Sequence, residues 1–315
     1  MTGQVERTLR AGVIGAGVMG RNHARMLSTL PGVVLSDLME PDAARRAEAA
    51  NELRCQSHGD FESFLKSELD LVVIASPNET HRELGVALLD AGVHVLVEKP
   101  IAPTIADAQA LIAAAKANKR QLMVGQIERF NPAVQAAKKA CEGEDIIAIT
   151  IARVGPFPPR MSKIGIIIDL GVHDIDIIRM ISGSEIKETQ ALLSRVHAER
   201  EDNALLQFRT ENNVIAQINT NWTTPYKHRS MQIATAKKFI SADLMTRQVV
   251  EYSEYTMDGT FRTRPIPVQS ADPLRQELEA FIRCVRTGAA PPISGEDGLR
   301  NLEVALQCLQ LGSRP

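Results

Sequence analysis

The sequence has almost no net charge. Lys and Arg number 36 against 38 Asp and Glu, a formal charge of -2. So even a balance argues against nucleic acid or an anionic membrane as a partner. No apolar run approaches the ~20 residues of a membrane span. Met1 to Arg10 is polar and leads straight into a strand, so no signal peptide is expected and the expected compartment is the cytoplasm. Cysteine is scarce. Cys55, Cys141, Cys284 and Cys308 stand far apart without a CxxC pair, which reads as reduced thiols rather than a disulfide framework or a zinc site. His23, His81, His94 and His173 fall on different elements, so no metal is expected. Repeats and low-complexity stretches are also missing. What remains is an ordinary globular composition, 44% hydrophobic and 23% charged over 315 residues. That is material for about two domains of ~100–200 residues each.

The first 125 residues alternate strand and helix. Leu9–Ile14, Val33–Met39, Leu69–Ala75, Val93–Val97 and Gln121–Gly125 read as strands. Val18–Leu30, Pro41–Leu53, Thr80–Ala91 and Ile105–Ala117 have helical spacing, and Phe61–Leu65 gives a short helix. Near-continuous apolar strands between helices predict an α/β, doubly wound parallel sheet covered on both faces. After Gly125 the pattern changes. Pro132–Ala140 and Gly171–Ile181 read as helices, and Ile146–Val154 as a strand. From Ile186 to about Pro267, runs such as Ala204–Arg209, Val214–Thr220 and Ser230–Ala234 alternate apolar and polar residues. That predicts an α+β domain, 126–315, with an open, mainly antiparallel sheet. Ile215, Ile218, Met231 and Ile233 are candidates for an apolar outer face, and a homodimer or homotetramer is expected.

Gly15-Ala16-Gly17-Val18-Met19-Gly20 fits G-x-G-x-x-G. It follows an apolar strand and opens a helix, the context that dinucleotide binding requires. Gly15 permits the tight turn, Gly17 the approach of the pyrophosphate, and Gly20 the contact of helix with strand. The pyrophosphate then sits at the helix N-terminus, on the amides of Val18 and Met19. Glu40, ending the second strand, is the candidate for the adenosine ribose hydroxyls, with Asp37 second. A carboxylate there repels a 2′-phosphate, so NAD is favoured over NADP, against the pull of Arg21, Arg45 and Arg46. Ser76-Pro77-Asn78 and Glu98-Lys99-Pro100 each end a predicted strand, where open parallel sheets bind ligands.

The glycine fingerprint with His23, Ser76-Pro77-Asn78 with His81, Glu98-Lys99-Pro100, and Asp169-Leu-Gly-Val-His173-Asp-Ile-Asp176 together resemble the Gfo/Idh/MocA family of oxidoreductases. The resemblance covers the whole chain. It implies an N-terminal Rossmann domain at 1–125, a hydride-transferring dehydrogenase, and catalytic roles for Lys99, Asp169 and His173. It also implies that Glu98, Lys99 and His81 border the cofactor and that a cis peptide precedes Pro100. The spacing has its own sense. Asp169 and His173 are four apart at a helix start and share a face, and Asp176 is placed to orient the imidazole. Taken alone, Asp169 also reads as a helix cap and His173 as a satisfied polar residue.

A narrower resemblance, to UDP-N-acetylglucosamine 3-dehydrogenases, is carried by Gly125-Gln-Ile-Glu-Arg-Phe-Asn-Pro132, Arg153-Val-Gly-Pro-Phe-Pro-Pro-Arg160 and Asn221-Trp-Thr-Thr-Pro-Tyr-Lys227. It implies oxidation of a sugar C3 hydroxyl to a ketone, on the way to a 3-amino sugar for lipid A or another surface glycan. The substrate partner is then a UDP-sugar. Arg129, Arg153 and Arg160 suit its diphosphate, since the guanidinium fork matches phosphate oxygens. Trp222 and Tyr226 offer stacking surface. Each has a plainer alternative: Arg129 paired to Glu128 or another acid, and Trp222 filling the core. Oxidation of an inositol or free sugar, and a non-catalytic NAD-binding regulator on the same fold, are the other readings kept.

Overall fold

A computed structural model describes residues 7–312. The chain divides into two compact units. One holds the residues up to Gln126 together with Leu274–Leu302, and the other holds Ile127–Pro273 and the residues from Glu303 on.

In the first unit, six parallel strands lie in the order β3-β2-β1-β4-β5-β6. They are β1 (Leu9–Ile14), β2 (Val33–Met39), β3 (Gln56–His58), β4 (Leu71–Ile74), β5 (His94–Glu98) and β6 (Leu122–Gly125). The helices between them are α1 (Val18–Leu27), α2 (Ala43–Leu53), α3 (Phe61–Leu65), α4 (His81–Asp90) and α5 (Ile105–Ala117). β1 and β4 are fully apolar at their centres, and Val13, Val72, Val73 and Ile74 are completely buried, as strands covered on both faces must be. Chain order reverses between β1 and β4, so the loops after these strands flank the switch point where such sheets take ligands. The observed start of α2 is later than Pro41. Asp42 caps it by accepting the Arg45 N–H at 2.8 Å, and an acidic cap outcompetes proline as the start signal here. β3, only three residues long with two of them exposed, left no apolar signature to read.

The second unit is built on an eight-stranded mixed sheet, ordered β14-β13-β12-β11-β7-β10-β9-β8. Its helices are α6 (Pro132–Ala140) and α7 (Val172–Ser182). Its strands are β7 (Ile146–Pro156), β8 (Ile186–Ser194), β9 (Asn203–Thr210), β10 (Ile215–Asn221), β11 (Thr223–Thr235), β12 (Lys238–Asp243), β13 (Gln248–Ser253) and β14 (Arg262–Ile266). Every pairing is antiparallel except that of β10 with β7. One face is buried with α6 and α7 in a core that includes Ile149, Ile151, Ile175 and Ile178. Alternation assigned the faces incorrectly at three positions. Ile218, Met231 and Ile233 are buried in that core, and only Ile215 of the four lies on the outer face, with Ile147 and Leu205. A one-residue choice of register moves a side chain to the opposite face. Two helices close the chain, α8 (Pro273–Thr287) and α9 (Gly295–Gly312). No described helix is long and apolar enough to cross a membrane.

Candidate active site

The first unit carries a cradle at the end of β1. Gly15 takes φ +94°, and a Cβ there would stand 2.7 Å from the Ala75 carbonyl oxygen. A Cβ on Gly20 would stand 1.8 Å from the Gly15 oxygen, whereas one on Gly17 would meet nothing within 4 Å. Gly15 and Gly20 therefore serve the fold, and Gly17 leaves open space. α1 starts at Val18 with no side-chain cap and no acid in its first turn. Its N–H groups and the positive end of its dipole are left to an anion. These residues fit the pyrophosphate of a dinucleotide.

Glu40 is buried directly after β2. Its Oε2 accepts the Ala16 N–H at 2.8 Å, and its Oε1 accepts the Asp42 N–H at 3.0 Å and Arg45 Nη2 at 3.0 Å. Burial pushes its carboxyl up, but these donors together outweigh burial and hold it below the usual range. Asp37, the second candidate, points elsewhere. It accepts from His58 Nε2 and Ser67 Oγ, each at 2.8 Å, inside the sheet edge. Arg21 forks onto Glu48, and Arg46 bonds the Glu40 and Pro41 carbonyls.

The loops after β4 and β5 are braced by one buried histidine. His81 Nε2 lies 3.0 Å from the Ser76 oxygen and Nδ1 lies 3.1 Å from the Pro100 oxygen. His81 is completely enclosed, so it holds the two loops rather than presenting itself to a ligand. Ser76 Oγ is 2.7 Å from Thr80 Oγ1, and Asn78 opens the short turn before α4. Glu98 ends β5. Its Oε1 meets His23 Nε2 at 2.8 Å and its Oε2 accepts the Lys99 N–H at 3.2 Å. The Lys99–Pro100 peptide is cis. Behind this turn lies Glu277 of α8, completely buried, with no hydrogen-bond partner on either oxygen. Burial and the charge of Glu98 push its carboxyl well above the usual range.

The second unit gathers the other candidates around α7. Asp169 falls in a π-helical turn, Ile167–Gly171, that runs directly into α7. Single π turns often mark functional sites. The turn is entered through Gly165 at φ +86°, packed on Glu201. His173 is the second residue of α7 and is mostly buried.

Several predicted substrate contacts are structural. Arg129 forks onto Asp176, with Nε–Oδ2 2.5 Å and Nη2–Oδ1 2.7 Å. Arg153 is fully buried. It bonds Asp174 at 2.7 to 3.0 Å and its Nη1 donates to Glu128 Oε1 at 3.0 Å. Neither guanidinium fork is available to a diphosphate in this arrangement, because a buried arginine must be paired where it lies. Trp222 is 3% exposed and packs on Phe157 with ring centroids 6.2 Å apart, so it fills the core. Tyr226 is exposed. The side chain of Arg160 lies outside the described residues.

Two residues that sequence reasoning passed over belong to this cluster. Glu128 accepts from Arg153, from Arg229 Nη1 at 3.0 Å and from Asn131 Nδ2 at 3.1 Å. Burial opposes its charge, but Arg153, a neighbouring His173 and Arg229 pull its carboxyl down to about 2. Arg229 stands opposite Arg153 across the β11–β7 ladder. A basic residue in register with buried Met231 and Ile233 was the available signal for it.

Comparison with known proteins agrees with the fold of the two units. The NAD-binding Rossmann fold of the Gfo/Idh/MocA oxidoreductases matches residues 9–126, and a C-terminal domain of the same family matches residues 147–241. UDP-N-acetylglucosamine 3-dehydrogenase of Acidithiobacillus ferrooxidans is 30% identical over 95% of this chain and 96% of its own length. A solved structure of that enzyme superposes with a TM-score of 0.91, covering 97% of this chain and 99% of that one at 29% identity. Inositol 2-dehydrogenase 2 of Saccharopolyspora erythraea is 29% identical over 96% of this chain and 92% of its own length.

Proposed function

We propose that this chain, which belongs to the Gfo/Idh/MocA family of NAD-binding oxidoreductases, oxidises the C3 hydroxyl of UDP-N-acetylglucosamine to a ketone. The observation that carries the reading is the end-to-end similarity to the A. ferrooxidans 3-dehydrogenase. NAD, when bound, supplies the hydride acceptor. Gly17 and the first turn of α1 receive its pyrophosphate, and Glu40 accepts from the adenosine ribose, a carboxylate that favours NAD over NADP.

His173 takes the proton of the reacting hydroxyl, since imidazole titrates near neutrality. Lys99 donates to the same oxygen and stabilises its developing negative charge. Asp169 accepts from a neighbouring hydroxyl and fixes the sugar's orientation. Glu128, held ionised by its arginines, favours the protonated imidazole that follows. The retention of Lys99, Asp169 and His173 speaks against a non-catalytic regulator. We further propose a homodimer or homotetramer working in the cytoplasm, in keeping with four free cysteines.

A second reading, oxidation of an inositol, has specific support. Inositol dehydrogenases are nearly as similar in sequence, and the internal pairing of Arg129 and Arg153 takes two cations from the set suited to a diphosphate. The test is NADH formation with NAD and a panel of UDP-sugars, inositols and free sugars, with a ketone trap. Turnover confined to UDP-N-acetylglucosamine supports the first reading, and turnover confined to inositols replaces it with the second. In either case Lys99→Ala should lower kcat by about 10²-fold or more while the Kd for NAD changes little. Normal turnover in that variant removes Lys99 from the reaction.

A further inference from the structure

Arg229 is the least satisfied guanidinium of the cluster around α7. It lies on the buried-face register of β11 and its side chain is 35% exposed. Of the five N–H donors that a guanidinium carries, only Nη1 is engaged among the described residues, by Glu128 at 3.0 Å. The arginines near it are paired through more of their nitrogens. Arg153 makes four contacts with Asp174 and Glu128, and Arg129 grips Asp176 with two nitrogens. The remaining donors of Arg229 are therefore open to solvent or to a ligand that displaces it. Burial, with Arg153 alongside, lowers its pKa, against the opposing pull of Glu128, Asp174 and Asp169. Asp169 is therefore within electrostatic reach of Arg229, and His173 within reach of Glu128.

Charge decides what kind of oxygen Arg229 meets. Around it stand three carboxylates, Glu128, Asp169 and Asp174, against the two guanidiniums of Arg153 and Arg229. With His173 neutral the cluster carries no positive excess to draw a phosphate. It offers instead a hydrogen-bond donor, Arg229, and a carboxylate whose charge acts on it, Asp169. Adjacent hydroxyls of a polyol suit that combination, because each hydroxyl both donates and accepts.

We propose that Arg229 is a substrate-binding residue, donating to one hydroxyl or carbonyl oxygen of the sugar ring while Asp169 accepts from its neighbour. The assignment rests on the sugar-oxidising reading above and extends it to a residue that reads ring stereochemistry. An epimer inverted at that position forfeits the bond, so Arg229 would favour one configuration of the ring.

The experiment is steady-state kinetics of the full chain and of Arg229→Ala, Arg229→Gln and Arg229→Lys. It uses UDP-N-acetylglucosamine and myo-inositol as probes, at low and high salt, with thermal melts and NAD titrations to confirm folding. Calorimetric titration of the NADH-loaded protein with the same probes gives binding directly. The expected result is a rise of about tenfold or more in KM for whichever probe is turned over, from a hydrogen bond to a charged group. The Kd for NAD should be unchanged, lysine should restore part of the loss, and the effect should depend little on salt. Unchanged KM in Arg229→Ala with normal wild-type turnover overturns this assignment alone. An effect restricted to UDP-N-acetylglucosamine that high salt abolishes assigns Arg229 to the diphosphate, and also overturns it. Binding of neither probe to the wild type overturns the sugar reading and this inference together.

Discussion

Gly17 and Gly20 are three residues apart and differ in what a methyl group would encounter. At Gly20 it would collide with the Gly15 backbone oxygen, and at Gly17 it would enter open space. Gly17→Ala should therefore leave the melting temperature within a few degrees of wild type yet weaken NAD binding about tenfold or more, since the methyl occupies the pyrophosphate's approach. Gly20→Ala should lower the melting temperature or prevent folding, because backbone atoms must move apart. Thermal melts and NAD titrations of the two variants check this. A Gly17→Ala protein with wild-type affinity would remove the loop from the cofactor site.

The glycines were legible in sequence because their roles follow from local backbone geometry. The arginines were not. Arg153 finds Asp174 21 residues away, and Arg129 finds Asp176 47 residues away. A sequence gives the charge of a residue without its partner, so both arginines read as substrate contacts, with pairing to an acid as the plainer alternative for Arg129, and that alternative is the one observed. Arg229, whose partner Glu128 is 101 positions distant, was overlooked for the same reason.

At the scale of elements, helix α8 packs an unpaired carboxylic acid against the end of β5. Glu277 is fully buried without a hydrogen-bond partner, and Glu98 repels its charged form. In the unfolded chain a glutamate ionises near ~4.3, but in the folded protein Glu277 holds its proton well above that. Its contribution to stability is fully present below the unfolded pKa and falls by about 1.4 kcal/mol per pH unit as pH rises towards the folded pKa. Glu277→Gln removes the ionisation, so its stability relative to wild type should grow steadily as pH rises above about 4.3. Chemical denaturation of both proteins at several pH values measures this. A difference that stays constant with pH would mean that Glu277 is ionised in the folded state.

Most elements were legible from period alone, because apolar strands and amphipathic helices advertise themselves over many residues. β3 was too short and too exposed to do so. The parallel pairing of β10 with β7 depends on contacts 67 positions apart, as between Ile215 and Ala148. The π turn at Asp169 inserts an irregularity that no side-chain pattern announces.

At the scale of the molecule, both sheets are of the kind that alternation and βα order predict, with the faces of Ile218, Met231 and Ile233 exchanged in the second, and the family to which the chain belongs accounts for both. The Lys99 turn and the α7 cluster belong to different units, each with its own buried electrostatics. Lys99 follows a carboxylate paired to His23. His173 lies near a Glu128 kept ionised by arginines. The chemistry proposed for them makes one central claim, that the hydrogen on a sugar ring carbon leaves as hydride to NAD while the hydroxyl proton goes to the protein.

Isotope transfer tests that claim most directly. The wild-type chain would be incubated with NAD and UDP-N-acetylglucosamine deuterated at C3, with a ketone trap, and the reduced cofactor examined by mass spectrometry. The account predicts NADH carrying one deuterium, formed together with a trapped 3-keto sugar. NADH without deuterium would contradict it, and no NADH at all from this substrate would contradict the reading of UDP-N-acetylglucosamine as the substrate.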